Sequence, residues 1–166
     1  MKISMIAAMT PDRVIGKEGG GIPWHGKLPR DQQHFRSYTE GKWMLLGRAT
    51  FEEMDGWFTT QTPVVLTSDP SYRMEKGYVV TTVNDAIELA RSHHAEELVV
   101  SGGASVYEVA LGHAETLVLT LVEADVESSR LFPEWDSNNW RLVSERCFPA
   151  DEANAFAMRF QEFRRN

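Results

Sequence analysis

Short apolar runs alternate along the chain with helically spaced segments and turn punctuation, the arrangement of an α/β domain. Eight runs have strand character: residues 3–9, 43–46, 64–67, 78–80, 98–101, 117–123, 140–147 and 156–163. The first reads as a buried strand. In the last, Phe156, Met158 and Phe160 alternate with Ala157, Arg159 and Gln161, as a half-exposed strand should. Four segments read as helices. Residues 29–38 open with Pro29, a good first-turn residue, and residues 50–55 form a short helix at Thr50. Residues 84–92 have Asn84 as a natural N-cap, with Ile87, Ala90 and Arg91 at helical spacing. Residues 104–111 follow Gly102-Gly103. No helix separates the last two strands, so they are expected to form an antiparallel hairpin on a largely parallel sheet. The expectation is therefore a single α/β domain over residues 1–166. Its central mixed, mostly parallel eight-stranded sheet would be flanked by about four helices.

Composition narrows the function classes. The 166 residues suffice for one domain with a real core, and 42% apolar with 25% charged residues is ordinary for a soluble globular chain. The net charge is −7, and no basic stripe exists beyond the terminal Arg164-Arg165 pair, so nucleic acid is not an expected partner. Cys147 is the only cysteine. It can form no internal disulfide and belongs to no Cys-rich metal motif, which suits a reducing cytoplasm. The apolar stretch at the N-terminus is too short for a signal peptide, and nothing downstream approaches a membrane span. His25, His34, His93, His94 and His113 lack metal-ligand spacing, so no metal is expected. With no long apolar surface stripe, a monomer is the expectation.

Candidate chemistry concentrates in residues 21–36. On the helix expected there, Asp31 shares a face with His34, Phe35 and Tyr38, at spacings of three, four and seven. A carboxylate in that setting either caps the first turn, where anions are favoured, or serves as a functional acid in a desolvated pocket. Spacing alone favours the cap without settling the choice. Gly47-Arg48-Ala49-Thr50 lies where a strand gives way to a helix, so backbone N–H groups and the helix dipole can hold phosphate. Arg48 adds a guanidinium fork, and Thr67-Ser68 add hydroxyls after the next strand. Gly102-Gly103 lets a ligand approach the backbone closely, with a helix N-terminus following. None of this is a GxGxxG element, so a Rossmann fold is not implied. Gly16, Gly19, Gly20 and Gly21 mark a flexible loop, of which an active-site lid is a special case. By themselves, Thr120 reads as a β-branched strand residue and Trp24 as a core aromatic.

Taken in order, these motifs resemble dihydrofolate reductase over nearly the whole chain. An opening Ile6-Ala-Ala8 leads to Asp12-Arg-Val-Ile-Gly16, Ile22-Pro-Trp24 and Leu28-Pro29-x-Asp31, with Phe35 one turn later. Leu46-Gly-Arg-x-Thr-Phe-Glu52, Val100-Ser-Gly-Gly-Ala-Ser-Val-Tyr107, Leu119-Thr120 and Phe132-Pro133 complete the series. The resemblance implies NADPH-dependent reduction of 7,8-dihydrofolate to 5,6,7,8-tetrahydrofolate. Hydride would pass from nicotinamide C4 to pterin C6, with Asp31 assisting protonation of N5. A buried carboxylate with a raised pKa can orient the pterin's amidine-like edge and promote that protonation through water.

By the same resemblance, Thr120 hydrogen-bonds the Asp31 carboxylate, Trp24 holds an ordered water beside it, and Tyr107 borders the nicotinamide. Ile6, Ala8 and Phe35 wall the substrate pocket, with Met54 opposite. NADPH would be held by Ala8, Ile15, Gly16, Gly47, Arg48, Ala49, Thr50, Thr67, Ser68, Gly102, Gly103, Ala104, Ser105, Val106 and Tyr107, with Arg48 gripping its 2′-phosphate. The loop from Ile15 to Trp24 resembles the family's mobile loop over the nicotinamide.

Three departures stand out. Gln61 occupies the place of an arginine that grips the glutamate tail of folate, a charge-assisted contact worth about 1.5–3 kcal/mol. Weak dihydrofolate binding is therefore expected, with Arg36 the only nearby cation to compensate. Glu127-Ser-Ser-Arg130 replaces a Gly-Asp pair that helps close the loop in many bacterial members. Ser105 replaces an arginine that often helps bind the cofactor's phosphates. The alternatives are an NADPH-dependent reductase of another pterin or of a riboflavin-pathway pyrimidine, and a non-catalytic relative that binds folate or nucleotide.

Overall fold

In the computed structural model, which describes residues 1–166, the apolar runs join one sheet. In chain order the elements are β1 (Lys2–Met9), α1 (Pro29–Thr39), β2 (Trp43–Gly47), α2 (Arg48–Glu53), β3 (Thr62–Leu66), β4 (Tyr78–Val80) and α3 (Val83–Ser92). There follow β5 (Glu97–Val100), α4 (Ala104–Ala110), β6 (Thr116–Val122), β7 (Trp140–Phe148) and β8 (Met158–Arg165). The strand order is β4-β3-β2-β5-β1-β6-β8-β7. From β4 to β6 all neighbours are parallel, and β8 then pairs antiparallel with both β6 and β7.

The period-two alternation of the strands builds a core on each side of the sheet. Met5, Ala7, Met9, Leu45, Val64, Leu98 and Val100 pack against Val83, Ala86, Ile87 and Ala90 of α3 and Val106, Tyr107 and Ala110 of α4. On the opposite face Ile6, Val99 and Val118 meet Phe35 and Tyr38 of α1. Met44, Leu46 and Val65 meet Phe35 again, with Phe51 and Met54 from the α2 region. Helices on both faces explain why the central strands read as unbroken apolar runs. The outer strand β7 is exposed over most of its length, and no helix is long and apolar enough to cross a membrane.

Several expected boundaries move. The cap of α3 is Thr82, not Asn84: the Asp85 backbone N–H donates to Thr82 Oγ1 at 3.0 Å. α2 begins at Arg48, directly after Gly47 at the end of β2, rather than at residue 50. β8 starts at Met158, leaving Phe156 in the preceding turn region. β3 includes Pro63, which lies before the first β4 pair, Val64↔Tyr78, and so has no β4 partner to hydrogen-bond.

Candidate active site

α1 carries Asp31, and its first turn shows that this carboxylate is not a cap. Leu28 occupies the cap position without a side-chain bond. The donor that needs a partner, the Arg30 backbone N–H, gives its hydrogen to Asn154 Oδ1 at 3.0 Å. Asn154 is buried and braced by Asp151, whose Oδ1 accepts from the Asn154 backbone N–H at 2.7 Å and from Nδ2 at 3.0 Å. A residue distant in sequence thus satisfies the helix end, and Asp31 is left free. The other end of α1 is also fixed. Tyr38 OH and Ser4 Oγ donate to Glu97 Oε1 at 2.5 and 2.6 Å, and Lys42 Nζ reaches Glu97 Oε2 at 2.8 Å.

Held at both ends, α1 presents Asp31 to the sheet. Burial pushes its carboxyl above the usual aspartate range, and the Thr120 hydroxyl pulls the other way as the smaller effect. Tyr107 is buried, and its OH donates to the Ile6 carbonyl at 2.6 Å. Burial raises its pKa, and the nearby charge of Asp31 raises it further, so the two side chains share one electrostatic environment. Ile6 packs with Phe35. Phe35 and Met54 pack on the same Met44–Leu46–Val65 cluster, and Ala8 joins buried Trp24, Leu28 and Phe160. Of the expected pocket residues, Ile6, Tyr107 and Thr120 meet Asp31 and Phe35 where β1 and β6 face α1; Ala8 and Trp24 lie in the neighbouring cluster, and Met54 reaches Phe35 from the β2–β3 side. An apolar enclosure with one carboxyl is the usual make-up of a small-molecule site.

A glycine cradle adjoins it. The Gly47 N–H donates to the Gly102 carbonyl at 2.8 Å, and a cis peptide joins Gly102 to Gly103. A Cβ on Gly103 would lie 3.1 Å from Thr50 Oγ1, and one on Gly47 would lie 3.2 Å from Val106 Cγ2. Gly47, Thr50, Gly102, Gly103 and Val106 are thus brought together at the ends of β2 and β5. Arg48 is half exposed over the Tyr72 ring, with Nε 3.0 Å from Glu52 and Nη1 3.5 Å from Asp69. Thr67 Oγ1 accepts from the Asp69 backbone N–H, while Ser68, Ala49 and Ser105 are exposed. Ala104 is half-buried at the start of α4.

The loop after β1 is tied down at Ile15, whose N–H donates to the Arg130 carbonyl at 3.0 Å, and at buried Gly16, which packs on the Arg130 side chain. Further along, the Glu18 carboxylate accepts from the Ser129 backbone N–H and from Ser128 Oγ. These bonds hold Glu18 below the ordinary glutamate range. Ser128-Ser129 therefore engages the loop through Glu18, a partner the sequence reading did not identify.

At the outer wall, Gln61 is buried, and its Oε1 accepts from the Thr59 N–H at 3.0 Å. The Arg36 guanidinium stacks over Trp57 at 4.2 Å and donates to the Trp57 carbonyl at 3.1 Å. Both groups are committed to the segment from Trp57 to Thr59. No set of three His, Cys, Asp or Glu side chains is grouped to hold a metal ion.

Fold and site together define a single-sheet α/β protein with a one-carboxyl pocket beside a glycine-lined cradle. The family model for dihydrofolate reductase matches residues 2–165, and the chain belongs to that family. It is 35% identical over 158 residues to the dihydrofolate reductase of Bacillus subtilis (strain 168), covering 95% of this chain and 91% of the relative. It is 34% identical to dihydrofolate reductase type 3 of Salmonella typhimurium, covering 96% of each chain. The solved structure of dihydrofolate reductase from Enterococcus faecalis, complexed with NADP(H) and RAB-propyl, superposes with a TM-score of 0.88 at 33% identity. That match covers 99% of this chain and 96% of the other.

Proposed function

We propose that the protein reduces 7,8-dihydrofolate to 5,6,7,8-tetrahydrofolate with NADPH. The observation that carries this reading is the Asp31 carboxyl, freed from capping by Asn154 and enclosed in an apolar pocket of a dihydrofolate reductase family chain. NADPH would lie along the adjoining cradle, where Gly47 and Gly103 keep the backbone bare and an added Cβ would crowd Val106 and Thr50. Their backbone, with Thr50 and the turns at Ala49 and Ala104, would hold the pyrophosphate. Arg48, with Thr67 and Ser68 beside it, would grip the 2′-phosphate, displacing its contacts to Asp69 or Glu52. Ala8, Ile15, Gly16 and Tyr107 would border the nicotinamide. When bound, this cofactor supplies the hydride that reduces pterin C6.

The chain's own residues do the rest. Asp31 accepts hydrogen bonds from the pterin's amidine-like edge, with Thr120 on the same carboxyl, and so fixes the ring's orientation. Ile6, Phe35 and Met54 exclude bulk water. Because burial raises the pKa of Asp31, the carboxyl can retain a proton and promote its delivery to N5 through water beside Trp24. A reducing compartment accords with the single free thiol of Cys147.

One observation favours a variation on this reading. Gln61 and Arg36 are both engaged locally, so pterins without a glutamate tail are expected to serve nearly as well as dihydrofolate. Loss of NADPH absorbance, followed with dihydrofolate, with a tailless dihydropterin and with a riboflavin-pathway pyrimidine, tests the assignment. Turnover of both pterins and not the pyrimidine supports it. Saturable NADPH binding without oxidation by either pterin contradicts it.

A further inference from the structure

Asp31 and His34 are one turn apart on α1, and they meet two laterally adjacent residues of the sheet. Thr120 on β6 pairs in register with Phe160 on β8. Asp31 faces Thr120, and the His34 ring stacks on Phe160 with centroids 4.2 Å apart and planes 11° from parallel. His34 Nε2 is buried and has no hydrogen-bond partner, so the imidazole serves here as a flat aromatic body. The face it packs on is specific. Phe148 lies 5.1 Å from Phe160, and Arg146, paired with Phe160 across β7 and β8, lies 5.6 Å from both rings. Phe35 and Tyr38 anchor the middle and far end of α1, and the His34 ring adds the anchor toward Phe160.

We propose that His34 is a positioning residue for Asp31: its stack on Phe160 seats the first turns of α1 so that the carboxyl stays enclosed beside Thr120. The inference rests on the reading of Asp31 as the acid of the reductase. The charged group acting on the ring is Arg146 from β7; Asp31 and Arg30 are its neighbours along α1, and Arg30 lies over Phe148 and pairs with Asp151. Burial and the charge of Arg146 both hold His34 below its ordinary pKa. The ring therefore stays neutral near pH 7 and adds no cation that would draw the Asp31 pKa back down.

The test compares wild type, His34→Ala and His34→Phe by two readouts. One is the titration of the Asp31 carboxyl by carbon-13 NMR of the ligand-free protein, assigned with Asp31→Asn. The other is the pH profile of single-turnover hydride transfer to dihydrofolate at saturating NADPH. His34→Ala should move the Asp31 midpoint toward the ordinary aspartate value and slow hydride transfer about ten- to a hundredfold, with NADPH affinity unchanged. His34→Phe, which keeps the stack without a titratable group, should restore both. An alanine variant that melts earlier but keeps its Asp31 midpoint and rate would overturn the proposal, leaving His34 a packing residue only. A phenylalanine variant as impaired as alanine would overturn it too. A wild type inert toward dihydrofolate would instead sink the catalytic reading, and the inference with it. The NMR titration separates the two failures.

Discussion

At the scale of single residues, the account turns on Asp31 and Gln61. Because burial raises the Asp31 pKa, the folded chain holds that proton more tightly than the unfolded chain does. The carboxyl's contribution to stability therefore falls as pH rises from the ordinary aspartate value through the raised one. Asp31→Asn should match wild type in thermal stability at acidic pH and exceed it at neutral pH, as melting curves at the two pH values will show. The same substitution should lower kcat/KM by about 10²–10⁴-fold. Gln61 makes the opposite kind of claim, about a contact that is missing. Gln61→Arg should lower KM for dihydrofolate by about ten- to a hundredfold, the size of a regained charge-assisted pair. KM for a tailless dihydropterin should stay put. Equal KM changes for the two substrates would remove the tail from the explanation.

At the scale of elements, α1 shows what the sequence reveals and what it hides. Pro29 and the 31–34–35–38 face mark the helix correctly because both signals are local. The choice between cap and acid for Asp31 is not local, since the true cap, Asn154, arrives from the turn before β8. Asn154→Ala should cost about 0.5–2 kcal/mol in denaturant unfolding, as cap losses do, and should also reduce hydride transfer by loosening the helix that carries Asp31. The glycine-rich segment after β1 was legible as a loop from composition. Its anchor on Ser128-Ser129 was not, because Glu18 reads as an ordinary exposed acid until the distant turn is folded beside it. Glu18→Gln should speed amide hydrogen exchange in residues 16–21 and leave exchange in β1 unchanged. In wild type the same bond should weaken as pH falls, since the lowered Glu18 pKa means that protonation removes it.

For the whole molecule, the parallel core follows from the continuous apolar runs, which require cover on both faces, and the structure supplies α3 and α4 on one side with α1 and α2 on the other. The half-exposed pattern of the last run fits a strand whose outer neighbour β7 is exposed. Strand order was not legible, because the pairings that set it join residues as distant as Lys2 and Glu97. That order places β1 between β5 and β6, and so brings the Gly102 turn, Ile6 and Thr120 around one pocket. The central claim is that this pocket works through a single buried carboxyl. The most direct test is single-turnover hydride transfer from NADPH to dihydrofolate, followed from acidic to alkaline pH in wild type and Asp31→Asn. The account predicts a wild-type rate that falls as pH rises through a midpoint above the ordinary aspartate value, and a slow rate without that midpoint in the variant. A variant that keeps the wild-type rate and titration would contradict it.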